Sequence, residues 1–157
     1  MKDKPDRAPI IAPPPLLGVG CIVLGFILNH YKPLPLFPSR GLLAIALGAV
    51  LIAISFAIIF SARRVFIAHG EHPSPYRPTN AIVVTGVYKF SRNPIYVAFL
   101  LVVLAFGLFA NSVWFLVMAA LLFVLLQFGV VKREELYLSE KFGETYRSYC
   151  HQVRRWI

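Results

Sequence analysis

Four apolar blocks without a single charge dominate the chain, and few folds can hold them. They cover residues 10–28, 41–60, 95–110 and 112–131. An α-helix rises about 1.5 Å per residue, so about 20 residues cross a hydrocarbon core roughly 30 Å thick. The second and fourth blocks have that length. The third is shorter, and local bilayer thinning or burial against its neighbours is expected to accommodate it. The first carries Pro13, Pro14 and Pro15. Prolines suit the start of a helix, where no N–H donor is needed, so the ordered helix is expected from about Pro15 to Leu28. Lys2, Lys4 and Arg7 give this block the basic start of a signal peptide. It ends, however, at Asn29-His30-Tyr31-Lys32-Pro33 with no small-residue cleavage site, and a retained helix is expected.

The chain carries a formal net charge of +9. Such a value usually suggests a nucleic-acid partner. Here the cations follow the loops. Lys and Arg precede the first block, lie between the second and third, and follow the fourth, which places fourteen of the sixteen on one side; only Lys32 and Arg40 fall on the other. All seven acidic residues share the basic side. Cytoplasmic enrichment of Lys and Arg explains this pattern without nucleic acid. The expected fold is all-α: a polytopic membrane protein with four transmembrane helices, both termini cytoplasmic, and an amphipathic C-terminal tail helix. One membrane domain is expected over 1–157. It comprises a disordered tail (1–9), two transmembrane helices (10–60), a cytoplasmic pocket loop (61–93), a transmembrane hairpin turning at Asn111 (94–131) and a cytoplasmic tail (132–157). The expected location is the cytoplasmic membrane. Cys21 and Cys150 would lie in different compartments and are not expected to pair.

No apolar block contains Asp, Glu, Lys, Arg or His, which argues against an ion-coupled transporter. Polar chemistry gathers at the cytoplasmic ends of the last two helices. Topology alone brings Arg92-Asn93-Pro94-Ile95-Tyr96 beside Lys132-Arg133-Glu134-Glu135. The loop 61–93 is long for so small a protein and too rich in Val, Ile, Tyr and Phe for disorder, so it is expected to pack over something. In the tail, Leu138, Phe142, Tyr146, Tyr149, Val153 and Trp156 recur at helical spacing, with Gly143 as a possible interruption. That face suits either contact with anionic lipid or a lid over a pocket.

Two segments resemble a known group. Thr85-Gly86-Val87-Tyr88-Lys89-Phe90-Ser91-Arg92-Asn93-Pro94-Ile95-Tyr96 is similar to the Gly-x-Tyr…Arg-(His/Asn)-Pro-x-Tyr segment of the isoprenylcysteine carboxyl methyltransferase and phospholipid methyltransferase family. Glu134-Glu135-x-x-Leu138…Phe142-Gly143-x-x-Tyr146-x-x-Tyr149 is similar to its paired-glutamate and Phe-Gly-x-x-Tyr tail. The resemblance covers about residues 65–157. It implies an integral membrane methyltransferase using S-adenosylmethionine, with the active site facing the cytoplasm and no metal. By position it places Gly86, Tyr88, Arg92, Asn93, Tyr96, Glu134 and Glu135 around the cofactor, with Glu135 and Arg133 as catalytic residues. The acceptor would be lipophilic or small, with a carboxylate oxygen, a phospholipid amine or a thiol as the methylated atom, and membrane lipids as neighbours.

The same residues have simpler roles open to them. Asn93 and Pro94 are good helix starters. Glu134 and Glu135 can form a solvated face beside Lys132 and Arg133. Tyr96 suits an interfacial belt, and His69 and His72 suit a loop. Asn93 stands where the best-known members have His. The arginine that eukaryotic prenylcysteine enzymes carry one turn before the glutamates is missing from Gly129-Val130-Val131, and Lys132 or Arg133 sits at a different angle. A prenylated-protein substrate is therefore not expected. The alternative from another class is a non-catalytic four-helix membrane scaffold or assembly protein.

Overall fold

The computed structural model describes residues 6–39, 41–70 and 80–157. They form α1 (Pro14–Tyr31), α2 (Leu42–Ala68), a 3₁₀ turn (Gly86–Lys89), α3 (Pro94–Ala110), α4 (Trp114–Leu126), a π turn (Gln127–Val131), α5 (Lys132–Phe142) and α6 (Glu144–Gln152). No strand occurs among the described residues.

Three helical stretches are long and apolar enough to cross a membrane: Pro14–Tyr31, Leu42–Ala68 and Trp114–Phe142, with mean hydropathy 1.4, 2.9 and 2.5. The fourth apolar helix, α3, has 17 residues. Two boundaries differ from the sequence reading. α2 runs on to Ala68, so Arg63 and Arg64 are helical and not part of a loop. α4, the π turn and α5 form one continuous helix, so Lys132-Arg133-Glu134-Glu135 extends a long helix where a separate tail was expected. Nothing in the local sequence stops it there, because neither Gly nor Pro follows Val131 until Gly143.

α3 and α4 form the central hairpin. α2 lies along α3, and α1 lies along α4 and part of α3. The contact faces of the outer helices are made of small residues. α2 buries Ala44, Gly48, Ser55 and Ala62, and α1 buries Gly18, Cys21 and Gly25. A side chain added at Gly48 would run into the Phe109 ring, and one at Gly25 into Phe115. Large apolar side chains point outward instead, with Leu43 72% and Phe56 66% exposed. Small residues inside and large apolar ones outside is the packing of helices dissolved in lipid.

The hairpin turns at Asn111, whose φ of 48° is left-handed. Its amide holds the backbone of Phe37 from both sides, with Phe37 N–H donating to Oδ1 (2.9 Å) and Nδ2 donating to Phe37 O (3.0 Å). Trp114 Nε1 donates to Lys32 O at 2.6 Å. The α1–α2 connection is thus stitched to the tip of the α3–α4 hairpin.

Residues 6–9, expected as part of a disordered tail, dock on α5. Asp6 pairs with Lys141 (2.7 Å) and accepts from Tyr137 (2.9 Å), and Ala8 is buried. The π turn was not expected either. Its wider winding accompanies a carbonyl open to an outside partner, and Gly129 O accepts from Ile11 N–H at 3.1 Å.

Candidate functional site

At the end of the hairpin opposite Asn111, a cavity of about 410 Å³ opens among α3, α5 and α6. The described part of the 61–93 loop packs as its side wall. Val83 and Tyr88 are buried with Ala62 against Val65 and Phe66 of α2 and Ile95 of α3. Tyr88 and Phe66 meet edge to face, with ring centres 5.2 Å apart.

α6 supplies the roof. Gly143, at φ 53° and ψ −124°, adopts a backbone that side-chain-bearing residues avoid, and it bends the tail between α5 and α6. The helical stripe predicted across it is therefore folded over. Tyr146, Tyr149 and Val153 are buried with Ile82, Leu138 and Phe142, so this face covers the pocket and is not left free for lipid. Tyr149 Oη donates to Tyr88 O at 2.8 Å, which joins roof to wall. Burial pushes the phenols of Tyr88 and Tyr146 above the ordinary range and that of Tyr149 up to about 12, so all three stay neutral at physiological pH.

The polar end is built where α3 starts. Asn93 and Pro94 occupy the first positions of α3, as helix starters should, but the Asn93 amide makes no cap bond. Its Nδ2 donates instead to Arg155 O at 2.9 Å. Arg92 Nη1 lies 2.9 Å from Glu135 Oε1 and 2.7 Å from Cys150 Sγ, and Arg92 N–H donates to Arg154 O at 3.0 Å. Arg155 completes a clamp on Glu135 with Nε to Oε1 and Nη2 to Oε2, both at 2.8 Å. Beside this cluster, Tyr96 Oη donates to Glu134 Oε1 at 2.7 Å. Arg92 Nε is buried with no partner among the described residues.

The structure brings together Tyr88, Arg92, Asn93, Tyr96, Glu134 and Glu135, all of which border the cavity. Two expected residues stand elsewhere. Arg133 is exposed and donates to Pro9 O at 2.8 Å. Successive helical residues point about 100° apart, so with Glu134 and Glu135 turned inward Arg133 faces the docked N-terminal segment. Lys132 lies over the Phe128 ring, 4.4 Å from its centre. Gly86 is absent from the cavity wall. It has φ 60°, and a Cβ there would lie 2.7 Å from Val65 Cγ2, so it serves the close approach of the 3₁₀ turn to α2. His69 Nδ1 lies 2.8 Å from Val65 O at the end of α2, away from the cavity wall. His72 lies outside the described residues. Sequence reasoning missed Arg155 and Cys150. A basic residue and a cysteine near a chain end carry no local signal that they will meet a glutamate and an arginine.

The phospholipid methyltransferase profile matches residues 43–145. The chain belongs to that family. The match reaches back across α2, which the two motifs by themselves did not cover. A relative in Haemophilus influenzae, an uncharacterized protein, is 43% identical over 63 residues, a stretch that is 40% of this chain and 98% of the relative. No solved structure matches the chain. As a phospholipid methyltransferase family member with helices of membrane-spanning length, this is an integral membrane methyltransferase.

Proposed function

We propose that this family member transfers a methyl group from S-adenosylmethionine to a lipophilic or small acceptor in the cavity between the start of α3 and α5. The observation that carries the reading is the double pairing across the hairpin's open end: Arg92 with Glu135 and Tyr96 with Glu134, on the wall of one cavity. A volume of about 410 Å³ falls within the range of roughly 300–1,000 Å³ common for small-molecule sites.

The residues present fit that cofactor. It supplies a methyl group activated on a cationic sulfonium. Arg92, whose guanidinium borders the cavity, offers donors for its carboxylate, and Glu134 offers an acceptor for its ammonium or ribose hydroxyls. Tyr88, Tyr96 and Phe99 offer aromatic faces for the adenine and the sulfonium. Glu135 already holds two arginines, so its part is to fix Arg92, while Glu134 is the carboxylate available to a ligand or to an acceptor's proton. The roof of α6 excludes water from the reacting atoms, and the walls hold acceptor and donor in line, which is where most of the acceleration of such a displacement arises.

In this reading α3 also spans the membrane, giving four transmembrane helices with both termini and the cavity on the cytoplasmic side. At about 1.5 Å per residue α3 covers roughly 25 Å, so modest thinning suffices. The prolines at the start of α1 and Phe99 of α3 line the apolar part of the cavity, which suits an acceptor reached from the bilayer.

Calorimetry on the purified full chain tests the reading with S-adenosylhomocysteine. Micromolar binding, weakened in Glu134→Gln, supports it. No heat at millimolar ligand would favour the scaffold alternative. Membranes incubated with methyl-labelled cofactor then identify the acceptor class by whether label enters lipid, protein or small products.

A further inference from the structure

We propose that Arg155 is a positioning residue for this methyl transfer and that the C-terminal strap 153–157 is part of the site's machinery. The inference rests on the reading just given and extends it to a segment that does not itself line the cavity.

Glu135 enters the cavity wall on a flexible side chain. Arg92 holds it at one point, through Nη1 to Oε1. Arg155 holds it at two, through Nε and Nη2, which is the geometry that fixes the plane of a carboxylate. With Arg155 absent, Glu135 would turn about its single contact, and Arg92 would lose the fixed partner that aims it. Glu135 is 17% exposed and Arg155 37%, so the pair is shielded mainly from the carboxylate side.

The strap is itself anchored along its length. Arg154 O accepts from Arg92 N–H, and Arg155 O accepts from Asn93 Nδ2. Trp156 Nε1 donates to Gln127 Oε1 at 2.9 Å, and its ring lies 5.0 Å from the Phe123 ring. Gln127 is the one polar residue between Trp114 and Val131, and it opens the π turn. A buried amide in an apolar helix is costly unless it is paired, and the strap supplies the pair. Three consecutive residues thus tie the lead-in to α3 to the π turn and to Glu135. The Arg155 side chain acts at the cavity through Glu135, while its backbone carbonyl, which Arg155→Ala keeps, holds Asn93.

A double-mutant cycle on full-length protein, read as S-adenosylhomocysteine affinity by calorimetry with thermal midpoints recorded alongside, tests this. Arg155→Ala is expected to weaken binding about tenfold, less than breaking a fully buried pair would cost, because Arg155 is partly exposed and acts on the ligand indirectly. Arg155→Lys should restore part of that loss, since an ammonium keeps the charge but not the fork. Arg155→Ala added to Glu135→Gln should weaken binding little beyond Glu135→Gln alone. Wild-type affinity in Arg155→Ala, or fully additive losses in the double variant, would overturn the proposal while leaving the methyltransferase reading intact. Absence of binding in the wild type would sink both. If Arg155→Ala does not fold, Arg155→Lys decides: a folded variant binding like wild type overturns the proposal, and one weakened severalfold supports it.

Discussion

The two ends of the α3–α4 hairpin solve the same joining problem in opposite ways. At the Asn111 tip, neutral groups do the work: a left-handed asparagine clasps the Phe37 backbone, and an indole caps a carbonyl. At the other end the joint is ionic, with Arg92 and Arg155 sharing Glu135, and it borders a cavity. Neutral bonds suffice to hold helices together. Taking charged groups out of water often costs as much as their pairing returns in stability. Their concentration beside a cavity is the feature on which the proposed ligand site rests.

The contrast is sharpest under Glu135→Ala. It leaves Arg92 facing no carboxylate, and it should abolish detectable S-adenosylhomocysteine binding. It should also destabilise the fold by about 3 kcal/mol, the low end for breaking a buried pair because Arg155 is partly exposed, as measured by denaturant titration in detergent. Asn111→Ala attacks the opposite end. It loses both bonds to Phe37 and places alanine in a left-handed backbone, for a cost of about 1–3 kcal/mol. Affinity should stay within about twofold of wild type, since a neutral joint far from the ligand adds nothing to binding energy. A larger loss would show that the ends are coupled and break the comparison. Tyr96→Phe removes one bond to Glu134 and should cost about 0.5–1.5 kcal/mol, at most tenfold in affinity, with the fold intact by thermal midpoint. The smallest effect is expected at Asp6. The Lys141 ammonium holds its carboxyl below the ordinary range. The tether is therefore in place above that ordinary range and is lost as pH falls through the lowered value. Asp6→Asn should lower hydrogen-exchange protection in residues 6–12 at neutral pH, measured against the intrinsic rate at each pH, to that of acidified wild type, and leave the thermal midpoint unchanged, as befits an exposed pair.

Much of this was legible from residue types. The apolar blocks found the helices, and Asn111 between two of them gave the turn. The turn in turn placed Arg92 and Tyr96 near Glu134 and Glu135. That Gly86 and Arg133 stand off the cavity wall was not legible, because motif position says nothing about angle. A glycine can serve a ligand or a neighbouring helix, and only the Val65 contact tells which. Arg133 is one residue from Glu134 in sequence and about 100° from it on the helix. The π turn was invisible because apolar residues accept α and π winding alike, and its partner Ile11 lies more than a hundred positions away.

The sequence by itself determined what local chemistry can determine: apolar lengths that demand lipid, a chain reversal, and two polar segments held at one end. The tertiary structure alone decided how the charges pair. Glu135 is taken by Arg92 and Arg155 while Glu134 is left to Tyr96 and the cavity, because pairing depends on helix rotation and on where the chain's last residues cross back over α3. Both are set by packing between segments far apart in sequence.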